Sequence, residues 1–184
     1  MDLSSLLDDL ARRMQPKVKS LIITIYGDAI AHRGGNAWLG NVIALAALAG
    51  VQERAVRTAV FIEEQGIARE DEWDEADHTA VHAVVTNLLD MPVATGRLLR
   101  EGAPGSGTAR IGRMAVDRTL RGAGVGRQVI EALQQAAAER GDRRVVLSAQ
   151  RSAEGFYRRL GYEPVGEPYE EVGIAHIGMQ RALG

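Results

Sequence analysis

The chain contains no cysteine, which excludes disulfides, thiolate nucleophiles, iron–sulfur clusters and cysteine-based zinc sites. Aromatic side chains are scarce, with 2 Trp, 4 Tyr and 2 Phe among 184 residues. No charge of either sign dominates: 22 basic and 24 acidic side chains leave a formal net charge of −2. Such a balance argues against a protein that simply coats nucleic acid or an anionic membrane. Lysine is nearly missing, with Lys17 and Lys19 alone among arginines. A long hydrophobic run is missing too. The uncharged stretch 34–52 is rich in Gly and Ala and interrupted by Asn36 and Asn41, so its apolar core is too short to span a bilayer. Residues 1–14 carry Asp2, Asp8 and Asp9 and lack the apolar core of a signal peptide. These absences point to a soluble, cytoplasmic protein with no membrane partner. Glycine, at 21 residues, is generous and anticipates tight turns.

Charge is unevenly placed along the chain. Glu63, Glu64, Glu70, Asp71, Glu72, Asp74, Glu75 and Asp77 crowd one stretch beside the single base Arg69, while residues 110–144 are rich in arginine. A solvated acidic loop and an acidic mouth for a cationic amine are the two readings of the first block.

Residues 3–14 have the spacing of a short amphipathic helix ahead of Pro16, and residues 38–49 that of a buried helix with Asn36 as cap and Gly50 as stop. Residues 21–26 are ambiguous: Ile22, Ile23, Thr24 and Ile25 favour a strand, while Ile22, Tyr26 and Ala29 share helical spacing. A helix is expected over 52–65, ended by Gly66. Strands follow at 81–86, 92–99 and 110–116, then a glycine loop, a helix over 126–140, a strand at 143–149, a helix over 153–160 and two short strands. Strand, glycine loop, helix, strand, helix makes an α/β unit around a central sheet.

The loop Arg121-Gly122-Ala123-Gly124-Val125-Gly126 stands between a strand and a helix, where glycines let backbone approach a ligand and the helix start offers N–H groups to a diphosphate. Its alternating glycines fit neither the Rossmann nor the P-loop spacing. They do fit R-x-x-G-x-G, and the loop resembles the coenzyme A pyrophosphate loop of the GNAT superfamily of N-acetyltransferases. The resemblance extends through Ala109–Asp117 before the loop, Val145–Gln150 after its helix, and Gly155-Phe-Tyr-Arg-Arg-Leu-Gly-Tyr162. Val60-Phe-Ile-Glu-Glu-Gln-Gly66, Glu72–Asp77 and Gly173-Ile-Ala-His176 resemble its ElaA-like branch. The similarity spans about 55–181. It implies an α/β (α+β) GNAT acyltransferase fold with a mixed central sheet.

It further implies transfer of an acetyl group from acetyl-CoA, as co-substrate and without a metal, to a small-molecule or lysine-like primary amine in a ternary complex. By resemblance, the amides of Gly122, Ala123, Gly124, Val125, Gly126 and Arg127, with Arg121, hold the pyrophosphate. The backbone of Met114, Ala115 and Val116 pairs with pantetheine and supplies the donor for the thioester oxygen, and Gln150 and Phe156 join the cofactor site. Tyr157 is placed as proton donor to the departing thiolate, His176 as base for the amine, and Glu64 as a carboxylate facing the acyl site. Each has a plainer reading: Tyr157 as packing, His176 as a structural histidine, Glu64 as a solvated charge. Arg113 is expected to pair with the acidic block, Trp73 to contact a cation or anchor a loop, and His78 with His82 to straddle a loop and a strand rather than form a zinc pair.

A second resemblance lies upstream. Ser20–Gly35, Trp38-Leu-Gly40 and Glu53–Phe61 resemble the winged-helix region of the PaaX-type phenylacetate-degradation repressors, which favours a helix for 21–26 and makes Arg54 and Arg57 contacts to DNA. The wing is missing, and residues 1–60 hold only 7 bases against 5 acids. The expected organisation is an all-helical, wing-less, helix-turn-helix-like segment over 1–59 and the acyltransferase domain over 60–184, sharing the helix at about 52–65. A DNA-binding regulator with an idle acyl-CoA-sensing domain is the alternative, and a nucleic-acid partner is not favoured. A homodimer formed through the appendage or an uncovered sheet edge is the third reading.

Overall fold

The computed structural model describes the backbone of residues 20–25 and residues 51–184 except 88, 90 and 104. The expected helices at 3–14 and 38–49 lie outside the described residues. Residues 20–25 do not form the helix favoured by the repressor resemblance. They form strand β1 (Ser20–Ile25), antiparallel to β2 (Val81–Thr86) from Ser20↔Thr86 to Ile25↔Val81. The β-branched run at 22–25 suits a pleated strand, and β2 offers it a full ladder of main-chain partners. The segment ahead of the acyltransferase core is therefore not all-helical: β1 lies at the edge where that core lacked its first strand.

Helix α1 covers 51–57 and continues as a π-helical stretch, Thr58–Glu64, before Gly66 at φ +71° turns the chain. A four-residue helix α2 (Arg69–Glu72) and a 3₁₀ turn (Glu75–His78) lead into β2. Strands β3 (Pro92–Glu101) and β4 (Thr108–Val116) complete an antiparallel meander. Helix α3 (Val125–Glu139) crosses back to β5 (Arg144–Gln150), which runs parallel to β4. Helix α4 (Glu154–Arg159) and the antiparallel pair β6 (Glu163–Glu171) and β7 (Ile174–Ala182) follow. The described strands form one mixed sheet in the order β1-β2-β3-β4-β5-β7-β6. From 81 to 160 the expected elements match within two residues at every end, whereas the last two strands run to nine residues each.

Helix α3 buries Val129, Ile130, Leu133 and Ala137 against Val81, Ala83 and Val85 of β2, Leu98 of β3 and Ile111 of β4. Gly96 permits that approach: a Cβ there would stand 2.5 Å from Met114 Sδ, 2.8 Å from Val129 Cγ1 and 2.9 Å from Leu133 Cδ1. The opposite face of the sheet receives α1, whose Val56, Val60 and Phe61 cluster with Ala115 of β4. Among the described residues no helix is long and apolar enough to cross a membrane.

Candidate active site

Strands β4 and β5 pair only at Thr108↔Arg144, Ala109↔Val145 and Arg110↔Val146. Beyond that point the two strands diverge, and the second half of β4 has no partner on its β5 side. A cavity of about 550 Å³ opens in the gap, lined by Met114 and Val116 from β4, Gln150 from β5, the loop 120–127, and Phe156, Tyr157 and Arg159 from α4. Its size falls in the usual range for small-molecule sites. Ala115 points away from the cavity into the α1 cluster, so it can serve the cleft through its backbone alone.

The loop has the backbone its glycines permit. Gly122 and Gly124 stand at φ +85° and +83°, conformations that disfavour any residue with a Cβ, and nothing lies within 4 Å of where such an atom would be. Gly124 is the N-cap of α3, so the helix start and its positive dipole end face the cavity. Gly126 has a different reason for its small size: a Cβ would meet Val116 Cγ2 at 3.3 Å and Phe156 Cζ at 3.5 Å. Val125 is buried in the core, and the Ala123 amide already donates to Leu120 O at 3.2 Å. Arg127 is exposed beside Glu131 at 3.6 Å.

Arg121 is tied back toward the sheet. Its Nε donates to Val116 O at 3.1 Å, and its two terminal nitrogens donate to the two carboxylate oxygens of Glu64 at 2.7 Å each. The hydrogen bonds from Arg121 hold the Glu64 carboxyl below its ordinary range. Glu64, expected to face the acyl site, thus holds Arg121 of the glycine loop instead, and with both oxygens occupied it is a poor base.

Tyr157 is 7% exposed and borders the cavity, edge-on to Phe156 at 5.0 Å and to Tyr162 at 5.8 Å between ring centroids. Burial pushes its hydroxyl well above the ordinary tyrosine range, so it stays protonated and able to donate. His176 lies opposite Gln150 in the β5–β7 register and stacks on Tyr169 of β6, which bonds Ser148 through its hydroxyl. The His176 Nδ1 lies 2.8 Å from Ile174 O. A carbonyl only accepts, so Nδ1 carries a hydrogen and Nε2 is the ring nitrogen turned to other partners. One polar link was not foreseen in the sequence. Gln150 Nε2 donates to Gln65 Oε1 at 3.0 Å, joining the end of α1 to the end of β5 across the gap. Nothing in the pattern around Gln65 distinguishes it from an ordinary helix-end polar residue.

Most of the acidic block is exposed, as a solvated loop would be, but Glu72 and Asp77 are buried in an ionic cluster. Arg57 is wholly buried; it donates to Asp77 at 2.8 and 3.2 Å, to Glu53 at 3.0 Å, to Glu72 and to the Glu72 carbonyl at 2.8 Å. Trp73 lies over it, 4.4 Å from the guanidinium to the ring centroid, with Arg54 at 4.9 Å. Arg97 donates to Asp77 at 2.7 Å and to Asp74 at 2.7 and 3.0 Å. Burial opposes ionisation of Asp77, but the hydrogen bonds from Arg57 and Arg97 outweigh it and hold the carboxyl at about 2. Burial wins at Glu72, whose carboxyl lies above its ordinary value despite Arg57. Arg57 is accordingly no DNA contact; it is the centre of an internal ionic cluster. His82, 3.3 Å from Glu53 and 3.1 Å from Asp77 O, belongs to the same cluster, and His78 is exposed. Arg113 does pair with the acidic block, as expected.

A parallel pair splayed around a cavity, with a glycine loop at a helix start, defines an acyltransferase fold of the GNAT type. The chain belongs to the GNAT acetyltransferase family: the family model "Acetyltransferase (GNAT) domain" matches residues 51–183. A second model, "PaaX-like protein", matches residues 17–71. Among curated relatives, the uncharacterised N-acetyltransferase YjcF of Bacillus subtilis (strain 168) is 35% identical over 127 residues, 68% of this chain and 87% of that protein. Protein ElaA of Escherichia coli (strain K12) is 37% identical over 130 residues, 70% of this chain and 84% of its own. The crystal structure of Escherichia coli ElaA superposes with a TM-score of 0.67 at 28% identity, covering 88% of this chain and 98% of that one. An acyl-CoA N-acyltransferase from Pseudomonas aeruginosa gives 0.65 at 29% identity, covering 89% and 99%.

Proposed function

We propose that the protein transfers an acetyl group from acetyl-CoA directly to a primary amine, of a small molecule or a lysine-like group, within a ternary complex. The observation that carries this reading is the β4–β5 gap, bordered by two positive-φ glycines, a helix start and Tyr157; His176 does not line the cavity but pairs with Gln150, which does. The residues fit the donor. Gly122, Gly124 and the first turn of α3 suit a diphosphate, with Arg121 and Arg127 adding charge. The half of β4 at 114–116, which has no partner on its β5 side, offers backbone for amide pairing. The donor supplies an activated thioester carbon; the chain supplies the rest. Backbone N–H groups of β4 stabilise the negative charge that develops on the thioester oxygen. His176 Nε2 takes the proton from the amine nitrogen as the N–C bond forms, and the Tyr157 hydroxyl gives a proton to sulfur as the C–S bond breaks.

The test is a thermal melt with acetyl-CoA, desulfo-CoA or buffer alone. Donor at a hundredfold excess over its dissociation constant stabilises by about 2.7 kcal/mol. For a chain of this size that raises Tm by about 5–11 °C. No shift in a folded protein refutes the assignment. A positive shift is followed by thiol release across an amine panel.

A further inference from the structure

Strand β4 carries one residue too many where the cleft opens. Thr95 pairs with Ala115 and Arg97 with Gly112, so two steps along β3 face three along β4. Arg113 absorbs the extra residue at φ +51°, a left-handed conformation in which glycine would be unstrained. Its side chain is anchored: the guanidinium lies 3.5 Å from Glu72 Oε2, 3.4 Å from Asp74 Oδ2 and 3.2 Å from Asp71 O.

Those contacts close a ring of alternating charge. Arg57 holds Glu72, Glu72 faces Arg113, Arg113 reaches Asp74, Arg97 holds Asp74 and Asp77, and Asp77 returns to Arg57. The ring joins α1, the 69–78 segment, β3 beside the bulge, and the bulge itself. Arg57, Glu72, Arg97 and Asp77 are buried while Asp74 and Arg113 reach solvent. Neither buried nor exposed ion pairs stabilise much more than apolar packing would, so stability alone gives no reason for such an arrangement. A strained non-glycine residue, held in place by its surroundings at the mouth of a cleft, is characteristic of functional geometry.

We propose that Arg113 is a positioning residue: through it, the ring fixes the bulged backbone of β4 so that the amides following it meet the thioester oxygen in one geometry. This inference rests on the acyl-transfer reading. It is tested on the full chain with acetyl-CoA labelled with ¹³C at the thioester carbonyl. The readouts are the carbonyl resonance on binding, the affinity for desulfo-CoA and the melting temperature. The unaltered chain moves the resonance downfield, as a polarised carbonyl does. Arg113→Gly, which adopts the positive φ without strain but has no anchor, stays folded, keeps its affinity for desulfo-CoA and loses most of the displacement. Asp74→Asn, which breaks the ring one link away, loses part of it. If Arg113→Gly fails to fold, Arg113→Asn, also tolerant of this conformation, gives the same readout.

Full displacement in Arg113→Gly overturns the proposal. So does a parallel loss of displacement, desulfo-CoA affinity and melting temperature, which marks a merely structural residue. Binding without displacement in the unaltered chain refutes this proposal alone, whereas no binding of either probe refutes the acyl-transfer reading and this proposal with it.

Discussion

Replacing Arg57 by methionine tests the ionic cluster at its centre. The substitution keeps much of the side chain's length but removes every donor, leaving Glu53, Glu72 and Asp77 without the guanidinium that lies 2.8–3.0 Å from two of them. All three are buried, at 2%, 1% and 6% exposure. Removing one partner of a buried ionic group costs about 3–5 kcal/mol, a large part of a stability of about 5–15 kcal/mol. At about 2–4 °C for each kcal/mol, the expected fall in Tm is about 6–20 °C at neutral pH. The pH dependence gives a second signature. In the unaltered chain Asp77 is held at about 2 against an ordinary 3.8, so its contribution is present above about pH 4 and is lost as the pH falls toward 2. In the variant Asp77 keeps Arg97 and Glu53 keeps His82, but Glu72, already raised by burial, loses its main cation and is relieved by protonation, so the gap between the two proteins narrows from pH 7 to pH 5. The assay is thermal and urea unfolding followed by circular dichroism at both values. A melting temperature within about 2 °C of the unaltered chain at pH 7, or a gap that widens at pH 5, refutes the reasoning.

Three further outcomes follow from the same geometry. Gly96→Ala places a Cβ within 3 Å of three side chains of the α3 interface and costs about 1–3 kcal/mol, read as a lowered urea midpoint with an unchanged slope. Glu64→Gln breaks an exposed pair, so Tm stays within about 2 °C. The same change removes a negative charge beside the glycine loop proposed to hold the diphosphate and is expected to tighten CoA binding about threefold by calorimetry. Tyr157→Phe lowers the turnover rate by about 10²-fold or more while leaving acetyl-CoA affinity unchanged, and equal turnover removes the tyrosine from proton transfer.

The sequence was most legible where local chemistry and long-range structure agree. The near-continuous apolar runs in 81–86 and 145–149, the spacing of Val129, Ile130 and Leu133, and the glycines at 122 and 124 each carry their own reason for the element they form. Legibility failed where a partner distant in sequence decides. Residues 21–26 satisfy helix and strand patterns equally, and only β2, about sixty residues later, selects the strand. Glu72, Asp74 and Asp77 look solvated in a linear reading because their partners Arg57, Arg97 and Arg113 come from three separate elements. Glu64 illustrates the same limit: its position at a helix end near the cofactor was readable, but its bond to Arg121, 57 residues away, was not.

The two edges of the sheet show what the repressor-like stretch contributes. Strand β6, at one edge, reads EPVGEPYEE and is exposed along its whole length. Its two prolines and four glutamates are the devices by which an edge avoids pairing with another chain. Strand β2 reads VHAVVT, is buried throughout, and has neither proline nor lysine. It is composed as an interior strand, and β1 gives it the neighbour it needs, with six successive pairs from Ser20↔Thr86 to Ile25↔Val81. The strand comes from within the residues that match the PaaX-like model, so this stretch completes an acyltransferase sheet whatever else it does. A chain beginning at Val51 keeps the whole match to the GNAT model but uncovers β2. Such a chain is expected to self-associate or aggregate in sedimentation velocity at concentrations where the full chain does not. If it instead sediments as a monomer and melts at the same temperature as the full chain, β1 is dispensable and the interior character of β2 has another cause.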